Sequence, residues 1–210
     1  MTENNNLPRW LAWAREIQAL AQTGETYALN EWQSGRYQRL MEIAAEIISA
    51  QTEHPVEPVI ESFKLQPGYA TPKVDVRGAV FRDSKLLLVR EKMDGGWTMP
   101  GGWADVGDSP AAGAEREVWE ESGFRVKAHK VIGVYDANRI EPMQLYHAVK
   151  LIFLCEILSG EATPSNETTE VAFFAEDAIP TSLSGERTRL RHIDHAFAAN
   201  RDPYWVTVFD

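Results

Sequence analysis

Three glutamates with helical spacing are the residues in this sequence best suited to chemistry. Glu117, Glu120 and Glu121 stand at offsets of three and four within GGWADVGDSPAAGAEREVWEESGF, residues 101–124. On a helix, this spacing places the three carboxylates on one face, where like charges cost about a few tenths of a kcal/mol per pair. A divalent cation would offset the repulsion, and oxygen-only ligands suit Mg²⁺ or Mn²⁺. The alternative interpretation is a solvated acidic helix face.

The neighbours of these glutamates add to the metal interpretation. Arg116 adjoins the acidic cluster and can pair with one of its carboxylates, which would fix the rotamer of that side chain. Gly101 and Gly102 allow the backbone to approach closely, so that a carbonyl oxygen there could also ligate a metal ion.

A well-marked helix must carry this cluster. Asp108-Ser109-Pro110 is typical of a helix start, with a capping side chain and a proline in the first turn. Gly123 is typical of a helix end. The sequence therefore predicts a helix over residues 109–122.

The N-terminal part of the chain has helical periodicity. Apolar residues recur at intervals of three and four through residues 7–22, which predicts an amphipathic helix that ends at Gly24. A second apolar stripe runs from Tyr37 to Ile48 and predicts a second long helix. Residues 51–73 contain four prolines and lack a clear period, so we expect a linker there.

The pattern then changes to short strands. After residue 73 the predicted elements are strands at 74–81, 86–89, 125–135, 146–157 and 171–174, a glycine-rich loop at 94–108, and helices at 109–122 and 184–199. The first two strands are separated by the polar turn Arg82-Asp83-Ser84-Lys85. Mixed strands around one well-marked helix predict an α/β or α+β sandwich.

Composition excludes several classes of protein. The 210 residues are 44% hydrophobic and 25% charged, which excludes wholesale disorder and fibrous classes. No apolar run approaches the roughly 18 residues of a membrane span, and MTENNNLPRW does not resemble a secretory signal. A single cysteine, Cys155, fits a reducing cytoplasm, and it cannot form an intrachain disulfide. The net charge of −10 argues against high-affinity nucleic-acid binding, and a phosphate-bearing substrate would need a cation or a local basic pocket.

The segment at residues 101–124 resembles the Nudix box, Gly-x5-Glu-x7-Arg-Glu-U-x-Glu-Glu-x-Gly-U, in which U is bulky and apolar. Gly102 matches the first glycine of this pattern. The matches further along are Arg116, Glu117, Val118, Glu120, Glu121, Gly123 and Phe124. Asp108 departs from the pattern, since the box has glutamate there. The resemblance to a Nudix domain covers about residues 70–210.

This resemblance implies a Nudix α/β/α sandwich and Mg²⁺-dependent hydrolysis of a nucleoside diphosphate linked to another moiety, X. It implies that Glu117 and Glu121 are the main metal ligands and that Glu120 supports them, with Arg116 among the catalytic groups. The catalytic base differs between families of this fold. Glu120, Glu167 and Glu170 are all candidates, the last two because they precede a strand from which a loop could reach the site.

The whole chain resembles a narrower group, the bacterial CDP-choline pyrophosphatases, some of whose relatives are ADP-ribose pyrophosphatases. The resemblance rests on GGWADVG at 101–107, KLIFLCEI at 150–157, NETTEVAFF at 166–174 and LSGERTR at 183–189. It implies hydrolysis of CDP-choline to CMP and phosphocholine by a homodimer. The expected domains are an N-terminal helical dimerisation and substrate-contact domain with its linker at 1–68, and a Nudix hydrolase domain at 69–210.

Four residues are candidates for substrate contacts. Arg77 and Arg90 lie on predicted strands, as contacts to the diphosphate or as solvated edges. Gly102 and Trp103 lie in the glycine-rich loop beside the acidic helix. An aromatic ring such as that of a tryptophan is a good platform for a base or for a quaternary ammonium group.

Three other functions remain open at this stage. One is ADP-ribose hydrolysis, and another is the trimming of RNA ends, which the net charge disfavours. The third is a non-catalytic, ligand-sensing Nudix module, although such modules usually lose carboxylates of the box and here only Asp108 departs from it.

Overall fold

The computed structural model describes residues 8–65, 68–137, 147–185 and 187–210. The chain divides into two units, Met1–Pro72 and Lys73–Asp210, and each is described by itself below. The first unit contains helices and the second contains the sheet. None of the helices in the described ranges combines the length and apolar composition of a membrane span.

The first unit contains three helices, α1 (Arg9–Thr26), α2 (Glu31–Gln51) and α3 (Val56–Lys64). The side chain of Asn30 caps α2, because its oxygen accepts a hydrogen bond from the Gln33 N–H at 3.0 Å. α1 and α2 pack against each other, and the Ser34 hydroxyl donates to Glu25 at 2.7 Å.

Gly24 lies inside α1, so the prediction that it ends the helix is wrong. A Cβ atom at this position would lie 2.2 Å from Cε1 of Tyr37 in α2. The glycine therefore permits a close approach of the two helices. A tertiary contact of this kind leaves no local signal, because glycine in a helix costs only about 1 kcal/mol relative to alanine.

The expected linker at 51–73 is also partly wrong, because α3 lies within it. Pro55 immediately precedes the helix, and Pro58 lies in its first turn. A proline at such positions removes an N–H that has no partner within the helix, so it is tolerated there. Val59 is buried and anchors the helix.

The second unit is built on a mixed sheet. Its strands in the described residues are β1 (Lys73–Arg82), β2 (Lys85–Glu91), β3 (Trp97–Thr98), β4 (Gly101–Trp103), β5 (Phe124–Asp136), β6 (Ala148–Gly160), β7 (Thr168–Phe174) and β8 (Val208–Phe209). The order is β3-β2-β1-β6-β5-β8, while β4 pairs with β1 and β7 pairs with β2. The β1–β6 and β5–β8 pairs are parallel. At the predicted turn, Asp83 and Ser84 have φ of 50° and 59°, as a tight hairpin requires.

Helices cover the two faces of this sheet. α4 (Pro110–Ser122) contributes Ala114 and Val118 to an apolar cluster that includes Val80, Phe153 and the buried thiol Cys155. α5 (Leu190–Arg201) contributes Ile193 and Phe197 to a second cluster, with Leu88 and Ile152 of the sheet. The expected α/β sandwich with an N-terminal helical part is confirmed.

The last helix begins later than predicted. α5 starts at Leu190, and Ser184 pairs instead with β3. The Ser184 N–H donates to the Trp97 carbonyl at 2.9 Å, and the Trp97 N–H donates to the Ser182 carbonyl at 2.8 Å. The chain therefore runs beside β3 at Ser182–Ser184 and then makes a turn, in which the Arg187 and Thr188 N–H groups donate to the Ser184 carbonyl, before the helix starts.

Candidate active site

α4 presents the predicted acidic residues, and its ends follow from local sequence. The Ser109 hydroxyl accepts a hydrogen bond from the Ala112 N–H at 3.2 Å, and Pro110 opens the first turn. Gly123 ends the helix with φ of 79°, a left-handed conformation that favours glycine.

Glu121 is the most buried of the three glutamates, with only 5% of its surface exposed. Its Oε2 accepts a hydrogen bond from the Gly101 N–H at 2.9 Å. Its backbone carbonyl accepts another from the Thr168 hydroxyl, also at 2.9 Å. Burial raises the pKa of the Glu121 carboxyl to about 7, although the positive charge of Arg77 opposes the shift.

Glu117 faces the same stretch of backbone as Glu121. A Cβ atom on Gly102 would lie 3.0 Å from the Glu117 carboxylate, so only glycine leaves this space open. Burial is the main cause that raises the pKa of Glu117, while its ion pair with Arg116 at 3.0 Å opposes it. The two carboxylates therefore converge on the Gly101–Gly102 backbone of β4.

Arg116 gathers the acidic side chains on the outer side of α4. Its guanidinium forms ion pairs with Glu120 at 2.9 Å, with Asp105 at 3.0 Å and with Asp108 at 3.3 Å, in addition to that with Glu117. Asp108, which replaces the glutamate of the Nudix box, therefore still reaches the arginine of the motif. Glu120 is half-exposed and lies toward Arg116.

The donor set fits a hard cation that keeps part of its ligands from outside the protein. Within residues 8–65, 68–137, 147–185 and 187–210, no group of three or more His, Cys, Asp or Glu side chains is arranged to hold a metal ion. Glu121 is nevertheless buried and Glu117 largely so, and burial raises the pKa of both carboxyls. Mg²⁺ commonly takes one or two carboxylates and completes its shell with water and substrate phosphates. The residues present fit such an ion.

Arg77, a candidate for substrate contact, is buried and faces protein groups. Its Nε and Nη2 donate to the Asp75 carboxylate at 2.9 and 3.0 Å, and its Nη1 donates to the Met99 carbonyl at 3.2 Å. Lys150 also contacts Asp75, with Nζ and Oδ2 3.3 Å apart. Burial is the main cause that lowers the pKa of Lys150 to about 8. Asp75, Arg77 and Lys150 form a buried ionic cluster on β1 and β6.

Arg90 and Glu170 pair with each other across the sheet. Their side chains form an ion pair of 2.6 Å, and the two residues are register partners on β2 and β7. Leu88 and Ala172, two positions along each strand, belong to the α5 cluster. Arg90 and Glu170 therefore lie on the α5 face, whereas the acidic residues lie on α4.

Glu167 and Trp103 are more open to solvent. Glu167 is exposed just before β7, and its backbone carbonyl accepts from the Lys92 N–H at 2.9 Å. Trp103 is 45% exposed at the end of β4, next to Gly102. The ammonium of Lys73 lies 5.8 Å from its ring centroid.

Sequence reasoning missed several polar residues beside this site. Glu91 is buried at the end of β2, with its Oε1 3.3 Å from Nε of Arg187. Asp75 and Lys150 were missed as well. The available signal was a charged side chain inside an apolar strand, where burial requires a partner. Asp75 in KVDVRGAVF, and Lys150 directly before LIFLC, both meet this description.

Both parts of the chain match known domains. Residues 8–63 match a domain described as a UDP-X-like, N-terminal oligomerisation domain. Residues 71–197 match the NUDIX domain. The Bacillus subtilis (strain 168) protein named "Putative ADP-ribose pyrophosphatase YjhB" is 37% identical over 203 residues, which cover 96% of this chain and 97% of that protein.

Two solved structures are similar as well. A crystal structure of an ADP-ribose pyrophosphatase from Streptococcus suis 89-1591 is 37% identical, with a TM-score of 0.61, over 67% of this chain and 100% of that one. A crystal structure of a UDP-X diphosphatase is 29% identical, with a TM-score of 0.63, over 96% of this chain and 98% of that one.

Proposed function

Because the chain belongs to the NUDIX family and is a pyrophosphohydrolase, we propose that it hydrolyses a nucleoside diphosphate linked to a moiety X with the help of Mg²⁺ or Mn²⁺. The observation that carries this proposal is the pair of carboxylates, of the buried Glu121 and the largely buried Glu117, against the Gly101–Gly102 backbone. A buried acidic pair of this kind is costly for the fold unless a cation joins it.

The identity of X is the finer part of the proposal. ADP-ribose ranks first, because the Bacillus and Streptococcus relatives, each 37% identical, carry that activity in their names. A UDP-linked substrate ranks second, from the 29% identical UDP-X diphosphatase that aligns with nearly the whole chain. CDP-choline, the first expectation from the sequence motifs, stays a prediction and is among the substrates to be tested.

Separate residues of this chain are proposed to bind the metal ion, to leave space for it and to orient a neighbouring carboxylate. Glu117 and Glu121 would hold the metal ion, which when bound neutralises charge on the pyrophosphate oxygens and lowers the pKa of a bound water. The absence of a side chain at Gly102 leaves space beside Glu117. Arg116 fixes the rotamer of Glu120.

The solvent exposure of the side chains separates the candidates for the catalytic base and for the contact to the nucleobase. The half-exposed Glu120 and the exposed Glu167 are the better candidates to accept a proton from water. The carboxylate of Glu170 is occupied by Arg90, and both lie on the α5 face of the sheet. The half-exposed ring of Trp103 offers a flat surface on which a base could stack.

A coupled phosphate-release assay tests the proposal, with a phosphatase that acts only on cleaved products. ADP-ribose, UDP-sugars, CDP-choline and a short RNA are compared with Mg²⁺, with Mn²⁺ and with EDTA. We expect metal-dependent release from one or more of the nucleoside diphosphate derivatives and a loss of about a hundredfold or more in Glu121→Gln. Glu115→Gln is the matched control, because Glu115 is on the same helix but pairs with Lys127.

Each alternative predicts a different result. Release from the RNA alone would favour RNA-end processing. Tight binding of one nucleotide without turnover would favour a ligand-sensing module. Full metal-dependent turnover by Glu121→Gln would contradict the proposed metal site.

The first unit is proposed to join two copies of the chain. The support is its match to a domain described as an oligomerisation domain and the exposure of large apolar side chains, Leu29 and Trp32 among them. Cytoplasmic location, expected from the single cysteine, stays a prediction that cell fractionation can test.

A further inference from the structure

We propose that Thr188, with Thr98, is a positioning residue that fixes the backbone from which Gly101 holds Glu121. The inference rests on the proposed role of Glu121 in binding a metal ion. Thr188 lies in the LSGERTR stretch at 183–189, which precedes α5 and is distant from Glu121 in the sequence.

Two buried hydroxyls and the backbone N–H and carbonyl of Met99 form a closed ring of hydrogen bonds. The Met99 N–H donates to Thr188 Oγ1 at 3.1 Å, and Thr98 Oγ1 donates to the Met99 carbonyl at 3.1 Å. The two hydroxyl oxygens lie 2.8 Å apart. Because the single Thr98 proton points to the carbonyl, Thr188 must donate to Thr98. Each hydroxyl then donates once and accepts once.

The backbone of Pro100 and Gly101 connects Met99 to Glu121. The Arg77 guanidinium also donates to the Met99 carbonyl, and the Pro100 carbonyl accepts from the Gly78 N–H at 2.9 Å. Gly101 has φ of 150°, and a Cβ atom there would lie 2.1 Å from the Val76 carbonyl. The segment is therefore held tightly on the side of β1, and its Gly101 N–H reaches Glu121 at 2.9 Å.

The ring connects parts of the chain that are distant in sequence. Thr188 is kept in place by its own segment, because the Lys150 ammonium donates to the Arg187 carbonyl at 2.6 Å and the Thr188 N–H donates to the Ser184 carbonyl at 2.9 Å. The segment before α5 thus acts on the acidic site through Met99, although Thr188 makes no hydrogen bond to the acidic residues among those described.

Removal of the Thr188 hydroxyl would leave the Met99 N–H without a partner. Met99 and Thr188 are both fully buried, so water cannot replace the lost acceptor without a rearrangement. The Met99–Gly101 backbone would then shift, and the Gly101 N–H would no longer be aligned with the Glu121 carboxylate. Displacements of about 1 Å in a catalytic group can cost up to about a hundredfold in rate.

The test compares Thr188→Val, which keeps the shape but loses the hydroxyl, with Thr188→Ser, which keeps the hydroxyl. Thr207→Val is the matched control, because the Thr207 hydroxyl likewise bonds to the backbone, donating to the Val131 carbonyl at 2.7 Å, but makes no contact with the Met99 ring among the described residues. Three quantities are measured on the full chain: amide hydrogen exchange of Gly101 by NMR without metal, Mn²⁺ affinity by electron paramagnetic resonance, and kcat with KM.

For Thr188→Val we expect Gly101 exchange to accelerate at least about tenfold. We also expect weaker Mn²⁺ binding and a kcat reduced about tenfold to a hundredfold with little change in KM. Thr188→Ser and Thr207→Val should resemble the wild type in all three. If Thr188→Val does not fold, Thr98→Val replaces it; this change opens the ring at its other hydroxyl, because Thr188 loses its acceptor and the Met99 carbonyl loses one donor, and we expect changes in the same direction.

Unchanged Gly101 exchange and Mn²⁺ affinity in a folded Thr188→Val or Thr98→Val would overturn the inference. Equal losses in Thr207→Val would do so too, because the effect would then be general destabilisation. The exchange and Mn²⁺ measurements need no substrate. They therefore decide the inference even if the wild type cleaves none of the proposed substrates, which would count against the proposed function alone.

Discussion

At the scale of single residues, the carboxylate of Glu121 is costly to ionise in the metal-free protein. Burial raises its pKa from 4.5 to about 7, so the folded state binds the proton more tightly than the unfolded chain does. The free energy of unfolding should therefore fall as pH rises from 4.5 to about 7. The contribution is at most about 3 kcal/mol, and it is fully present only below pH 4.5.

Urea unfolding with EDTA at several pH values between 4.5 and 7.5 measures this effect. Glu121→Gln should remove part of the decline, because the amide does not ionise, whereas Glu115→Gln should keep it. Mg²⁺ should stabilise the wild type at pH 7 and have little effect on Glu121→Gln. Parallel pH dependences in the wild type and Glu121→Gln would contradict the prediction.

The candidate bases give a second prediction at this scale. Glu170→Gln should keep kcat within about threefold of the wild type, because its carboxylate is paired with Arg90 on the α5 face. Whichever of Glu120 and Glu167 is the base should lose about a hundredfold when changed to glutamine, together with the acidic limb of its kcat–pH profile. A hundredfold loss in Glu170→Gln would instead identify Glu170 as the base.

The sequence predicts the site residues that act through spacing but not those that act through tertiary contacts. Glu117, Glu120 and Arg116 share one helical turn, so their proximity follows from the helix alone. The partners of Arg77 do not follow in the same way. Asp75 is two residues away, but the Met99 carbonyl reaches Arg77 only because β4 returns to pair with β1.

At the scale of elements, the contact between β4 and α4 depends on glycine. In Gly102→Ala, the new methyl group would lie 3.0 Å from the Glu117 carboxylate, in space that we assign to the metal ion and its ligands. We expect Mn²⁺ affinity and kcat to fall at least about tenfold, with a loss of stability of about 1–2 kcal/mol.

Gly113→Ala in α4 is the matched control for Gly102→Ala. Its Cβ atom would make an ordinary contact of 3.5 Å with Val76, and alanine favours the helix. Kinetics, Mn²⁺ binding and thermal unfolding of the two variants provide the measurement. Equal activity of Gly102→Ala and Gly113→Ala would count against a metal site beside Glu117.

Element bounds are predictable where their signals are local. α4 begins and ends as expected, because the Ser109 cap, Pro110 and Gly123 act within a few residues of the helix. The sequence predicts helix from residue 184, which is wrong for the segment before α5, because that segment bonds to Trp97 and Met99, about 90 residues earlier in the chain. A short stretch of sequence therefore never contains both the donor and the acceptor of these hydrogen bonds.

At the scale of the whole molecule, the exposed apolar side chains of the first unit predict self-association. Leu29 is 88% exposed, and a homodimer would cover such residues. We expect light scattering after size exclusion to give about twice the mass of the 23.7 kDa chain. Leu29→Glu should weaken the dimer at least about tenfold, because it would bury an unpaired charge.

Val206→Glu is the matched control for Leu29→Glu. Val206 is equally apolar and also exposed, but it lies in the second unit. It should leave the mass unchanged. A monomeric wild type, or equal dissociation in both variants, would contradict a dimer formed through the helical unit.

The buried thiol has a practical consequence for studies of this enzyme. Cys155 lies inside the sheet, and burial raises its pKa to about 12, so it should react with less than about 0.1 equivalent of a thiol reagent in the folded protein. The folded chain should therefore not react with maleimide dyes or thiol-directed spin labels. A single cysteine in place of Val106, fully exposed beside the Asp105–Arg116 ion pair, would then carry one reporter at the edge of the acidic site.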